Sequence, residues 1–132
     1  MKVALVIVSH SAKLAEGVVE LAGQMGGQNL HLAAVGGTED GGLGTSAPRI
    51  SQAIEAALAA GNDVLILLDL GSAALNTSLA LELLTPGQRG RVQVAQAPLV
   101  EGAVLAAVAA SGGAPLEEVR AEAETAYRMP KN

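Results

Sequence analysis

Apolar and polar positions divide the chain into four short runs of β-branched residues and leucine, separated by longer stretches with helical spacing. The runs cover 3–8, 30–35, 64–68 and 92–95. The first and third are apolar almost without interruption, the pattern of a strand covered on both faces. Between the runs, Leu14, Ala15, Val18, Leu21, Ala22 and Met25 recur at three- and four-residue steps. So do Ile50, Ala53, Ile54, Ala57 and Leu58, then Leu75, Leu79 and Leu83, then Val100, Val104, Ala107 and Val108. A last helix is expected to start near Pro115 and to carry Leu116 and Val119. Ser11 and Ser46 stand where helix starts need caps, and Gly61 where the second helix should end. Strand–helix alternation predicts an α/β fold: an open, mainly parallel four-stranded sheet, doubly wound, with helices on both faces. No linker, repeat or low-complexity tract interrupts it, so 1–132 reads as a single domain.

That topology has a chemical consequence. Right-handed crossovers put the C-terminal ends of all the strands along one edge, where ligands bind in open α/β sheets. His10 follows the first strand, the glycine-rich stretch 36–46 the second, Asp69-Leu70-Gly71-Ser72 the third and 98–102 the fourth. The most polar and glycine-rich parts of the chain are therefore expected to converge on one rim.

Composition narrows what the rim can do. Half of the residues are hydrophobic, yet there is no Phe or Trp and a single tyrosine, Tyr127, so the core must be built from Ala, Val, Leu and Ile. Thirteen acids face eight bases, for a net charge of −5. Without a basic run or stacking rings, nucleic-acid binding is not expected. The absence of cysteine excludes disulfides and thiolate metal sites. His10 and His31 lack the spacing of a metal pair, so no metal site is expected, and His31, read as lying inside the second strand, is taken as structural. The apolar runs are too short to span a membrane. The opening MKVALVIV is only of strand length, with His10 and Lys13 following where a cleavage region would be. A soluble, cytoplasmic protein is expected.

His10 can be read as a helix-capping or satisfied polar residue, or as a nucleophile that is uncharged at cellular pH. Asp69 can be a cap or turn former. It can also accept Nδ1–H of a histidine, which would fix the tautomer, leave Nε2 with a free lone pair and stabilise the positive ring formed when that nitrogen attacks phosphorus. Gly71 and Ser72 open the third helix, where a small residue, a hydroxyl and free N–H groups suit an anion. Ser11, Gly37, Thr38, Thr45 and Ser46 could add donors, although the glycine loop could equally be only flexible. The GGLGTS segment has neither Rossmann spacing nor a P-loop lysine, and no Gly-x-Ser-x-Gly elbow is present.

Four blocks, taken in order, resemble a known family. They are VIVSHSAKLAEGVVELAGQM, GGTEDGGLGTSAPRISQAI, LLDLGSAALNTSLALELL and QAPLVEGAVLAAVAASGG. The resemblance is to the DhaM-type phosphocarrier subunits of dihydroxyacetone kinases that draw phosphate from the bacterial phosphotransferase system, relatives of the mannose-family enzyme IIA domains. It implies that His10 accepts a phosphoryl group on Nε2 from the carrier HPr, with Asp69 as orienter and the Gly71–Ser72 turn nearby. It further implies transfer to ADP held, with Mg, on the kinase subunit DhaL. The ATP so formed phosphorylates dihydroxyacetone on DhaK, and the carrier itself binds no cofactor. The family also implies a homodimer. Some relatives continue into HPr-like and enzyme I-like domains; here the sequence ends at Asn132, so a separate donor protein is expected.

The segment 69–72 carries no lysine or arginine, which suits a carrier that must release phosphate. Partners are expected to dock on Leu43, Leu70, Ala73, Ala74 and Leu75, although Leu75 could instead be core. The acidic balance could steer a basic partner. The alternatives are a mannose-type carrier serving a sugar-transporter IIB domain, a non-enzymatic anion-binding module, a structural dimerisation domain, and a receiver-like switch with Asp69 as phosphoacceptor. The last lacks acids after the first strand to hold magnesium.

Overall fold

The computed structural model describes residues 2–27 and 29–132. Four parallel strands, β1 (Lys2–Ser9), β2 (Leu32–Gly36), β3 (Asn62–Leu68) and β4 (Val92–Val94), form one sheet in the order β2-β1-β3-β4. The helices are α1 (Ala12–Gly26), α2 (Ala47–Ala59), α3 (Gly71–Glu82), the short α4 (Pro86–Arg89), α5 (Leu99–Ser111) and α6 (Leu116–Glu124), with a 3₁₀ turn at Thr125–Arg128. The α/β architecture is the one expected from the alternation.

The central strands read as continuous apolar runs because both of their faces are covered. Val3, Leu5 and Ile7 of β1 pack with Leu65 and Leu67 of β3 and with α1, α5 and α6. Ala4, Val6 and Val8 pack with Val64 and Ile66 and with α2 and α3. Alanine dominates the helix contacts, so the helices lie close to the sheet. A Cβ on Gly102 of α5 would meet Ala97 Cβ at 2.8 Å and Leu67 Cδ2 at 3.2 Å. The caps follow the sequence: Ser11 accepts from Leu14 N, Ser46 accepts from Arg49 N, and Gly61, just past α2, has φ 91°.

Three readings are corrected. The second strand begins at Leu32, so His31 precedes it; its carbonyl still extends the ladder by accepting from Leu5 N at 2.9 Å. The leucines Leu75, Leu79 and Leu83 do not face the core. The third helix rests on its small residues Ala73, Thr77 and Ala80 and turns the leucines to solvent. The four-residue α4 has no counterpart among the helices read from the sequence, although Thr85 and Gln88 form a capping box there with Pro86 between them.

In the strand order, β1 connects outward to β2 while β3 leads the other way to β4, so the topological switch lies between β1 and β3. No helix among the described residues is long and apolar enough to cross a membrane.

Candidate functional site

The register pairs Val8 of β1 with Leu68 of β3, so the next residues along, Ser9 and Asp69, stand side by side at the switch. The Asp69 carboxylate is saturated by this neighbourhood. Its Oδ2 accepts from the Ser9 hydroxyl at 2.8 Å and from the His10 amide at 3.0 Å. Its Oδ1 lies 3.0 Å from His10 Nδ1 and accepts from the Leu70 amide at 2.7 Å. Burial pushes the carboxyl pKa up, but the bonds from the His10 amide, the His10 ring, Ser9 and Leu70 together hold it below its ordinary value.

A carboxylate only accepts, so Nδ1 carries the ring proton and Nε2 keeps its lone pair. Nε2 is in contact with the Ser72 hydroxyl, which donates to it. The histidine side chain is 24% exposed, so the ring is held on its protein side and open on the other. Its backbone is fixed as well, with the carbonyl accepting from Gly44 N at 2.8 Å. His10 is not the cap of α1; Ser11 is, and the Ser11 oxygen accepts from Leu14 N at 3.2 Å.

The 37–46 loop covers the β2 side. Gly36 lies so close to the start of α1 that a Cβ would stand 2.6 Å from Ser11 O and 2.7 Å from Ala12 Cα. Gly37 has φ 76°, a left-handed conformation that suits glycine. Thr38 serves the loop itself: its hydroxyl donates to Asp40 and accepts from Gly42 N. That contact, followed by the Gly42 amide, lowers the Asp40 pKa. Thr45 faces the third helix, 3.5 Å from Ser72 O, and accepts from Asn76 Nδ2 at 2.5 Å. Ser46 donates to Glu39.

On the β3 side, Leu70 is the N-cap of α3 and no side chain caps the helix. The Ala73 amide donates to Leu70 O at 3.0 Å, which leaves the Gly71 and Ser72 amides to an external acceptor beside Nε2. Gly71 is exposed and nothing lies within 4 Å of where its Cβ would be, so no close approach within the chain requires glycine there. Two depressions lie at this edge of the sheet, about 480 Å³ beside Thr38, Asp40 and Thr45 and about 190 Å³ beside Asp69, Gly71, Ala74 and Tyr127. The rim also carries exposed apolar side chains: Leu43 is 82%, Leu70 65% and Leu75 64% exposed, and Ala74 is exposed. Ala73, expected on this surface, is buried.

The fold thus gathers His10, Asp69, Ser72, Thr38 and Thr45 around one rim. Sequence reasoning assigned no role to Ser9, Asn76 or Arg49. Ser9 carried a signal, a polar residue ending an apolar strand. Asn76 and Arg49 did not stand out from ordinary helix-surface residues.

Comparison with known proteins bears on this arrangement. The family described as PTS system fructose IIA component (EIIA-man) matches residues 4–120. A Providencia stuartii protein named PEP-dependent dihydroxyacetone kinase, phosphoryl donor subunit DhaM, is 42% identical over 96% of this chain and 27% of its own length. A Lactococcus lactis protein named PTS-dependent dihydroxyacetone kinase, phosphotransferase subunit DhaM, is 36% identical over 94% of this chain and 95% of its own. The chain therefore spans about a quarter of some relatives and nearly all of others. Among solved structures, a crystallised protein of unknown function, EF1359, is 36% identical with a TM-score of 0.85, covering 94% of both chains. A sigma-54 interaction domain protein from Enterococcus faecalis, 17% identical with a TM-score of 0.71 over 96% of this chain and 91% of its own, shares the fold.

Proposed function

The chain belongs to the PTS fructose IIA component (EIIA-man) family and, within it, to the DhaM-type subunits, and from that premise we propose that it is a phosphohistidine carrier. It takes a phosphoryl group from HPr onto His10 Nε2. It passes that group to ADP bound with Mg on a DhaL subunit, from which DhaK draws it as ATP. The carrier works in the cytoplasm and binds no cofactor of its own.

The observation that carries this reading is the Asp69 Oδ1–His10 Nδ1 contact at 3.0 Å, with Nε2 directed at the rim. The Nε2 lone pair attacks the phosphorus of phospho-HPr. The N–P bond of the donor breaks as the new one forms, and the donor ring keeps the electron pair. Nδ1 retains its proton throughout, so the phosphorylated ring is positive and lies against the Asp69 carboxylate. The Ser72 hydroxyl must leave Nε2 for the bond to form. It is then placed, with the first amides of α3, to donate to phosphoryl oxygens. Gly71 opens this anion site, while Ser11, Gly37, Thr38 and Thr45 belong to the wall that partners approach. For delivery, a β-phosphate oxygen of ADP attacks phosphorus and the neutral ring is restored. Alignment and charge stabilisation are most of what such a transfer requires.

Labelled phosphoenolpyruvate with enzyme I and HPr tests the reading. Wild type should acquire acid-labile, base-stable label and His10→Ala none. DhaL·ADP should then discharge it as ATP. Label that resists acid, or that persists in His10→Ala, overturns the assignment. Discharge to a sugar-transporter IIB domain but not to DhaL·ADP would move the protein to the sugar-transport branch. Binding of phosphate compounds without label would leave an anion-binding module.

A further inference from the structure

The geometry points to Arg49 as a positioning residue that holds the 36–46 loop as a preformed docking wall for the phosphoryl donor, an inference that rests on the carrier reading. Arg49 lies in the first turn of α2, the positive end of the helix dipole, where a cation is disfavoured. It forms no ion pair with a carboxylate among the described residues, although its side chain is half-buried. Helix stability therefore does not account for its placement. Its hydrogen bonds do: Nη1 donates to three successive carbonyls, Gly36 at 3.0 Å, Gly37 at 3.3 Å and Thr38 at 3.4 Å.

Holding three consecutive carbonyls on one cation fixes the direction in which the loop leaves β2. The opposite sides of these peptides then meet their own partners, with Gly37 N on Ser9 O at 3.4 Å and Thr38 N on Gly42 O at 3.0 Å. The far end of the loop is tied by Gly44 N to the His10 carbonyl. Between the ties stands Leu43, the most exposed of the rim leucines. A loop with four glycines among 37–44 would otherwise sample many conformations, and a partner binding it would have to order it. The aim of the histidine ring, in contrast, is fixed by Asp69 and needs no help from Arg49. Loss of Arg49 should therefore weaken recognition of the donor and spare the chemistry.

The test uses Arg49→Met, which keeps apolar length without donors, and Arg49→Lys, whose ammonium offers three N–H groups. With phospho-HPr as the varied substrate, Arg49→Met should raise KM about tenfold while kcat stays within about threefold, the signature of lost binding rather than lost transition-state contact. Arg49→Lys should restore KM to within about threefold of wild type. Hydrogen exchange, read with no partner present, should show protection of the 37–46 amides falling about tenfold in Arg49→Met while β1 keeps its own. If β1 also loses protection, Arg49→Gln, with one donor group left, takes the place of the methionine variant under the same criteria. Unchanged loop exchange overturns the inference whatever the kinetics show. A fall in kcat at constant KM overturns it in favour of contact with the reacting phosphoryl group. A wild type that takes no label overturns the carrier reading and the docking role with it, while normal labelling with an unaltered KM in Arg49→Met removes the docking role alone.

Discussion

Asp69 concentrates the physics of the site in one carboxylate. Four donors from Ser9, His10 and Leu70 converge on two oxygens, and together they outweigh the burial that would otherwise raise its pKa. A lowered folded-state pKa means that the folded protein releases this proton more readily than the unfolded chain does. Its stabilising contribution is therefore complete above the ordinary value of 3.8 and is lost as pH falls through the depressed value. Asp69→Asn should lower stability at pH 7 by about 1–3 kcal/mol, the cost of disturbing charged, partly buried hydrogen bonds. Urea titrations of the two proteins should show that gap constant from neutral pH down to about pH 5 and closing below the ordinary carboxylate value. A gap that instead widened in acid would mean that Asp69 is held protonated. The same substitution no longer enforces the Nδ1–H tautomer, and phosphorylation by phospho-HPr should slow between about 10²- and 10⁴-fold, the range seen when a histidine loses its orienting carboxylate or its role in proton transfer.

At the scale of elements, two glycines on the rim make opposite predictions. A Cβ on Gly36 would run into the backbone of Ser11 and Ala12, which cannot yield without moving the start of α1 and so His10. A Cβ on Gly71 would meet nothing. Gly36→Ala should cost about 1–3 kcal/mol, as overpacking does, and should slow labelling. Gly71→Ala should leave the melting temperature unchanged, so that any loss of transfer it shows reports on the approach of a partner. Calorimetry with the labelling assay separates the two. Most elements were legible in the sequence because strands and helices here obey simple periods. The run 3–8 is apolar on both faces, Ser11 and Ser46 cap what they were expected to cap, and Gly61 ends α2. The third helix was not fully legible, since it has two stripes able to face inward. Periodicity marks Leu75, Leu79 and Leu83, but close packing against α2 and the Val- and Ile-lined core on that side of the sheet selects Ala73, Thr77 and Ala80. The pairing of His10 with Asp69 was legible from topology, whereas Ser9, Asn76 and Arg49 act through distances that no spacing rule contains.

For the whole molecule, that inverted helix leaves exposed leucines on the surface. Leu75 and Leu83 are more than half exposed and Leu79 nearly so, and Glu82 is the only charged residue in α3. Spaced four residues apart, these leucines share one side of the helix. Its N-terminal end, with Leu75, borders the His10 rim and is open to visiting carriers. Its C-terminal half, with Leu79 and Leu83, lies two turns away from the chemistry. The homodimer that the family resemblance implies is tested on that half, where a two-fold axis would bring the same leucines together from both sides. Wild type should then scatter light as twice 13.1 kDa, and the double variant Leu79→Glu, Leu83→Glu as 13.1 kDa. The variant should still take label from phospho-HPr, because Ser9, His10, Asp69 and Ser72 all come from one protomer. A monomeric wild type, or a double variant that remains a dimer, would remove the second copy from this face. A monomeric variant that no longer takes label would show that the second copy supports the site itself.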